Sequence, residues 1–338
     1  MNLKKTPTSL VLAALAFLLG CSTKTTENQT SFQTIGSIEV LDERLSSIID
    51  ANASIEVLAS GFSWSEGPVW VPSLNSLLFS DVPMNTIYQW SEQDSISGFL
   101  NPSGNTGFAP ASSGEGSNGL ALDEGGNLIL CQHGDRRLAK LSGVDPSNSF
   151  ETLVELFEGK RFNSPNDLAI ASDASFFFTD PPYGLAQKDQ DSLKEISYQG
   201  VYHAIDSTIS LIDSTLTRPN GVALSPDENT LVVANSDPQI AIWRTYDLNQ
   251  SPPVGELLFD ATSMVEIEER HGLPDGLKIN QKGIIFATGP GGVLILTLKG
   301  EHLGTVLTTK HTSNCALSPD EKTLYMTADD LLLRVALK

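Results

Sequence analysis

Between residues 65 and 329 one order of polar and apolar positions recurs six times: a small polar opening, a short alternating run, a turn, and a second run rich in Val, Ile, Leu, Phe and Thr. The copies are SEGPVWVPSLNSLLFSD (65–81), SNGLALDEGGNLILCQH (117–133), PNDLAIASDASFFFTD (165–180), PNGVALSPDENTLVVANS (219–236), PDGLKINQKGIIFATG (274–289) and SNCALSPDEKTLYMTAD (313–329). Two β-rich runs joined by a Gly, Asn, Asp or Pro turn predict a hairpin in each copy. Helical periodicity is scarce, and Asp42–Asp50 is the main stretch that reads as a helix.

The polar residue opening each copy is Glu66, Asn118, Asn166, Asn220, Asp275 and Asn314, and the steps between them are 52, 48, 54, 55 and 39 residues. A period near 50 that holds about four strands is that of a propeller blade. The last copy begins too close to Lys338 to complete a blade, while IEVLASG (55–61) is a strand without a partner of its own. The two halves complete each other. The sequence therefore predicts an all-β, six-bladed propeller over residues 51–338 with four-stranded blades, the last closed by the N-terminal strand so that no sheet edge stays free. A length of 338 residues would otherwise allow two or three domains.

The first residues do not share the pattern. Lys4 and Lys5 precede an apolar run, Ser9–Leu19, that is short for a bilayer span and reads as an export signal over residues 1–20. Leu18-Leu19-Gly20-Cys21 resembles a bacterial lipobox, which makes Cys21 the lipidation site. Residues 22–35 are polar and Thr-rich, as a tether should be, so residues 21–50 read as lipidated Cys, tether and lead-in. The expected location is outside the cytoplasm, held to a membrane through the lipid alone on the periplasmic or cell-surface side, with Ser22 favouring the outer membrane if the organism is Gram-negative.

Composition narrows the function. A net charge of −20 opposes binding to phosphate backbones, which excludes nucleic acid as a partner. Beyond Cys21 there are only Cys131 and Cys315, too few for a disulfide scaffold; a bridge between them and two buried thiols both stay open. No Cys/His cluster for zinc, no Gly-x-Ser-x-Gly elbow and no phosphate loop occurs, which argues against serine hydrolases and nucleotide enzymes.

In a propeller the residue opening each inner strand points toward the axis at one mouth. Here all six offer a side-chain oxygen, two as carboxylates. Oxygens without thiolate or imidazole match a hard divalent cation, calcium first. Asn-Gly and Asp-Gly are also ordinary turn formers, and one copy would mean nothing; six in register, with Glu66 among them, outweigh the turn reading.

SEGPVW, SPND, TDPPYG (179–184), RPNGVALSPDE (218–227) and LPDGL (273–277) together resemble the gluconolactonase and regucalcin family of six-bladed, calcium-dependent lactonases, in its bacterial gluconolactonase-like branch. The resemblance covers about residues 55–330. It implies metal ligands at Glu66, Asn166, Asn220 and Asp275, with Asp167 beside them, and places Asn118 and His133 at the mouth as substrate-binding or supporting residues. Ser164 stands where regucalcin has an arginine that contacts sugar hydroxyls.

The implied reaction is hydrolysis of a lactone, a sugar lactone such as gluconolactone first. One divalent cation (calcium, with zinc, manganese or magnesium as alternatives) polarises the carbonyl, and Asp275 is the catalytic residue, as base or as nucleophile. His133 reads either as a proton shuttle or as a histidine hydrogen-bonded beside Asp135 and Arg136, and Trp64 and Trp70 read as core. The rival readings are a phosphotriesterase- or arylesterase-like hydrolase with the same metal site, and a non-catalytic ligand-binding propeller on the cell surface. The chain is expected to act as a monomer.

Overall fold

Leu77-Leu78-Phe79, Ile129-Leu130-Cys131 and Leu231-Val232-Val233-Ala234 are uninterrupted apolar runs, the pattern of strands covered on both faces. In the computed structural model, which describes residues 1–4, 32–110, 113–206 and 208–338, each run is the second strand of a blade. Six antiparallel sheets surround a channel. Their inner strands are Ser65–Val71, Ser117–Leu122, Leu168–Ile170, Pro219–Leu224, Leu277–Ile279 and Thr312–Leu317, numbered below as blades 1 to 6.

Six hydrophobic clusters of described residues fill the six interfaces between neighbouring blades. Val71, Leu78 and Leu130 lie between blades 1 and 2, and Leu77, Phe79 and Leu332 between blades 6 and 1. Cys131 is buried between blades 2 and 3 and Cys315 between blades 5 and 6, so the two thiols are free and belong to different clusters. Ile55–Ser60 pairs with Leu331–Ala336, Leu332 opposite Ala59, and closes the sixth blade as the repeat spacing requires.

The tether and lead-in expected over residues 21–50 is corrected from Gln33 onward. Gln33–Ile35 adds a fifth strand to blade 6 and Ser37–Val40 a fifth strand to blade 5. Gly36 sits between them at φ 65°, and a Cβ there would overlap the Leu307 carbonyl, so glycine lets the chain step from one blade to the next. The expected helix is a 3-10 turn, Glu43–Ser47, capped by Asp42 Oδ1, which accepts the Arg44 N–H at 2.9 Å. It delivers Leu45 and Ile49 to the cluster between blades 5 and 6. Spaced apolar residues too few to form a strand pattern, Ile35, Ile38, Leu45 and Ile49, thus find partners only once the blades exist. The signal and Cys21 lie outside the described residues. Among the described residues no helix is long and apolar enough to cross a membrane.

Candidate active site

At the opening residue of several repeats the ladder between the first and second strands slips. The register shifts after Glu66, after Ser117, after Pro219 and before Asn314. Such irregularities re-aim a side chain out of the sheet. Here they help bring Glu66, Asn118, Asn166, Asn220 and Asp275, from five different blades, to one cavity of about 370 Å³.

The glycine after the opening residue has a cause the turn reading does not supply. Gly119, Gly221 and Gly276 are not at positive φ. A Cβ on Gly221 would meet the Asp275 carbonyl oxygen, one on Gly276 the Asn314 side chain, and one on Gly119 the Asn166 carbonyl oxygen at 2.7 Å. Glycine is required because the next blade approaches there, through its backbone at Gly119 and Gly221 and through the Asn314 side chain at Gly276. The ring can therefore close tightly around the channel.

Two copies lack that glycine, and one of them departs from the expected ring. Asp167 follows Asn166; it is 1% exposed and does not line the cavity. It reaches to Asn314 across the channel, whose Nδ2 donates to its Oδ2 at 3.4 Å. Asn314 is followed by Cys315, and its Oδ1 accepts the Cys315 N–H at 2.8 Å. The expectation that all six openers point an oxygen at one centre is corrected: five line the cavity, and Asn314 turns its amide N–H groups toward Glu66 and Asp167 instead. Lys278, on blade 5, lies beside this floor and its positive charge acts on Asp167.

The segments carrying the openers are clamped from the end of the second strand. Asp81 accepts the N–H groups of Ser63 and Trp64 ahead of Glu66, at 3.0 and 3.2 Å. Asp180 accepts those of Asn163 and Ser164 ahead of Asn166, at 2.8 and 2.7 Å. Asn235 accepts the Arg218 N–H ahead of Asn220 at 2.8 Å. Asp180 thus fixes its loop rather than facing the cavity. Ser164 is fully buried, donating to the Pro181 carbonyl and accepting from the Gly184 N–H, so no side chain from that position reaches the cavity.

At Glu66 and Asp275 burial and the negative charge of neighbouring carboxylates dominate. Burial pushes Glu66 up to about 7, and the charge of Asp167 adds to the rise. Asp275 lies well above the usual carboxylate range because of burial, then Glu66 and Asp167. Asp275 Oδ1 and Asn118 Oδ1 are buried without a hydrogen-bond partner. Among the described residues no three His, Cys, Asp or Glu side chains form a ligand group by themselves. A cation here would depend on the amide oxygens as well, which is the donor chemistry of a hard ion.

Several cavity residues escaped the sequence reading. The His133 ring does not pair with Asp135 or Arg136; its Nδ1 lies 3.0 Å from Glu115 Oε2, Asp135 pairs with Arg137, and the Arg136 guanidinium donates to the Phe162 carbonyl. Burial acts to raise Glu115, but His133 and Lys188 outweigh it and hold the carboxyl below its usual range. Glu115, Tyr183, Lys188 and His311 also line the cavity, as does Trp64, which was expected in the core. His311 stacks on His271 with ring centroids 5.5 Å apart and lies 6.5 Å from Trp64. Trp70 stacks on Tyr325 in the core, as expected. The lone acid in SSGEGSNG was the one available signal for Glu115.

Residues 64–330 match the profile of the SMP-30/gluconolactonase/LRE-like region. A gluconolactonase of Zymomonas mobilis subsp. mobilis is 39% identical over 335 residues, covering 97% of this chain and 93% of that protein. The solved structure of a gluconolactonase from Xanthomonas campestris is 25% identical, with a TM-score of 0.77, covering 90% of this chain and 98% of that one. A calcium-binding protein, regucalcin, from Agrobacterium tumefaciens str. C58 shares the fold at 16% identity and a TM-score of 0.61, over 83% of this chain and 94% of that one.

Proposed function

This chain belongs to the SMP-30/gluconolactonase/LRE-like family, and from that premise we propose that it opens lactones by hydrolysis, a sugar lactone such as gluconolactone first, with one divalent cation, calcium first. One observation carries the reading. Glu66 is buried and Asp275 half-buried in the same cavity, the strongest charges acting on them are negative, and the buried Oδ1 of Asp275 has no partner. Two carboxylates in that state are costly unless a cation joins them.

Glu66, Asn166, Asn220 and Asp275 would hold the ion. When bound, such a cation supplies Lewis-acid polarisation of the ring carbonyl and offsets the carboxylate charge. Asp275 orients the attacking water, Asn314 holds Glu66 through its amide, and Asn220 does the same for Asp275. Asn118 Oδ1, buried and unpartnered, accepts a substrate hydroxyl. Trp64 and His311 line the cavity with aromatic surface for the ring, and Glu115, His133 and Lys188 line it with polar groups.

The deciding assay offers sugar lactones, acyl-homoserine lactones and organophosphate triesters to the protein before EDTA, after EDTA, and after return of single metals. Sugar-lactone turnover that EDTA removes and calcium restores is expected. Preference for the triester would replace the lactonase reading, and no turnover of any substrate with any metal would leave a binding propeller. Export belongs to the same proposal: Cys21→Ser should move the protein from the membrane fraction to the soluble one, and an unchanged distribution would remove the lipid anchor.

A further inference from the structure

Six buried side-chain polar atoms among the described residues lack a partner, and three of them, Asn118 Oδ1, Asp275 Oδ1 and His133 Nε2, belong to residues lining this one cavity. Two are oxygens suited to a cation or a hydroxyl. The third is an imidazole nitrogen, and the protein holds it with care. His133 is 1% exposed, its main-chain N–H donates to the Gly116 carbonyl at 3.0 Å, and its Nδ1 meets Glu115 Oε2 at 3.0 Å. Gly184 packs on the ring so closely that a Cβ there would lie 2.7 Å from His133 Cβ and 3.0 Å from its Cγ. Ser113 Oγ donates to the Gly184 carbonyl at 2.7 Å, tying the segment of Glu115 to the segment that seats the ring. A side chain at position 184 would displace the imidazole, which gives the glycine of TDPPYG its reason.

We propose that His133 carries the proton in the hydrolysis and that Glu115 is its positioning residue, an inference that rests on the lactonase reading above. A carboxylate that accepts Nδ1–H fixes the tautomer and leaves the Nε2 lone pair unused on a residue that lines the cavity. Nε2 takes a proton from the water whose oxygen bonds to the ring carbonyl carbon, giving a tetrahedral oxyanion. Collapse breaks the bond from that carbon to the ring oxygen, and the departing oxygen takes the proton from Nε2–H. Imidazole returns to its starting form, and the product is a hydroxy acid whose carboxyl proton passes to solvent. The labour is thereby divided, because a carboxylate against a dication is a weakened base: Asp275 holds and orients, and His133 moves the proton.

The test uses the full chain with calcium and a sugar lactone. His133→Ala should lower kcat by about 100-fold or more with KM changed less than about threefold, while the rise in Tm on adding calcium is retained. Imidazole in the buffer should then restore at least about tenfold of the loss, a rescue that a packing role does not allow. Glu115→Gln should lower kcat about tenfold. A kcat for His133→Ala within about threefold of the unmodified protein overturns the proposal, as does a loss that imidazole leaves untouched while the calcium response is intact. Should His133→Ala lose the calcium response altogether, Glu115→Gln decides, and full activity there overturns the assignment. If the unmodified protein opens no lactone, the lactonase reading itself has failed, and the proton role falls with it.

Discussion

Asn220 and Asn314 open two copies of the same repeat, yet they end in different surroundings. Asn220 lines the cavity and its amide supports Asp275. Asn314 sits on the channel floor, with its oxygen on the Cys315 N–H and its amide toward Glu66 and Asp167. The residue that follows separates them. Gly221 admits the backbone of blade 5, whereas Cys315 carries a side chain into the cluster between blades 5 and 6, with Sγ 3.3 Å from the Phe286 carbonyl. A repeat position is thus a place in the fold, and its chemistry is set by whether the neighbouring blade comes close.

The largest effect should come from Asp275→Asn, which keeps an oxygen in the cavity but removes a charge. Calcium should still raise Tm, while kcat falls by about 10²–10³-fold; turnover at the original rate would remove Asp275 from the reaction. The contrast between the two asparagines comes next. Asn220→Ala should weaken calcium binding by about 100-fold and Asn314→Ala by about tenfold or less, since a ligand is lost in one and a supporting bond in the other. Equal losses in a calcium titration would mean that the floor and the cavity wall are one ligand set.

Gly221→Ala should lower stability by about 3 kcal/mol, read by denaturant unfolding, because the added Cβ meets backbone that has little room to move. Cys315→Ala should cost about 1 kcal/mol for a small buried void. A tolerated Gly221→Ala would restore the simple turn explanation of the repeat.

The smallest effect concerns pH. Glu66 is pushed up to about 7 and Asp275 lies above its usual range, so in the cation-free protein each contributes stability below the ordinary carboxylate value and loses it as pH rises through its folded value, about 7 for Glu66. A cation binds the charged forms. Calcium should therefore raise Tm by a few degrees more at pH 8 than at pH 5.5. Equal shifts at both pH values would show that these carboxylates are not what the ion neutralises.

Much of the fold was legible because blade repetition imposes its period on the sequence: the openers at Glu66 to Asn314 count six blades, and the orphan strand at residues 55–61 finds its partner in Leu331–Ala336. Residues 33–49 were not legible, since four spaced apolar side chains carry no period and gain meaning only against finished blades. In the site, Glu66, Asn166, Asn220 and Asp275 stood out by recurrence and by motif. Glu115 did not, because it sits in a Gly- and Ser-rich loop outside the repeat, three residues before Asn118.

By itself the sequence determined the strand period, the number of blades, the closure and the oxygen chemistry of the residues opening each repeat, because local hydrophobic spacing and residue type suffice for these. Only the tertiary structure decided which of those oxygens share a cavity, why glycine follows most of them, and that Glu115 seats His133. Those outcomes depend on how closely one blade approaches the next and on contacts between segments brought together by closure of the ring. Hydrophobic period does not record such distances.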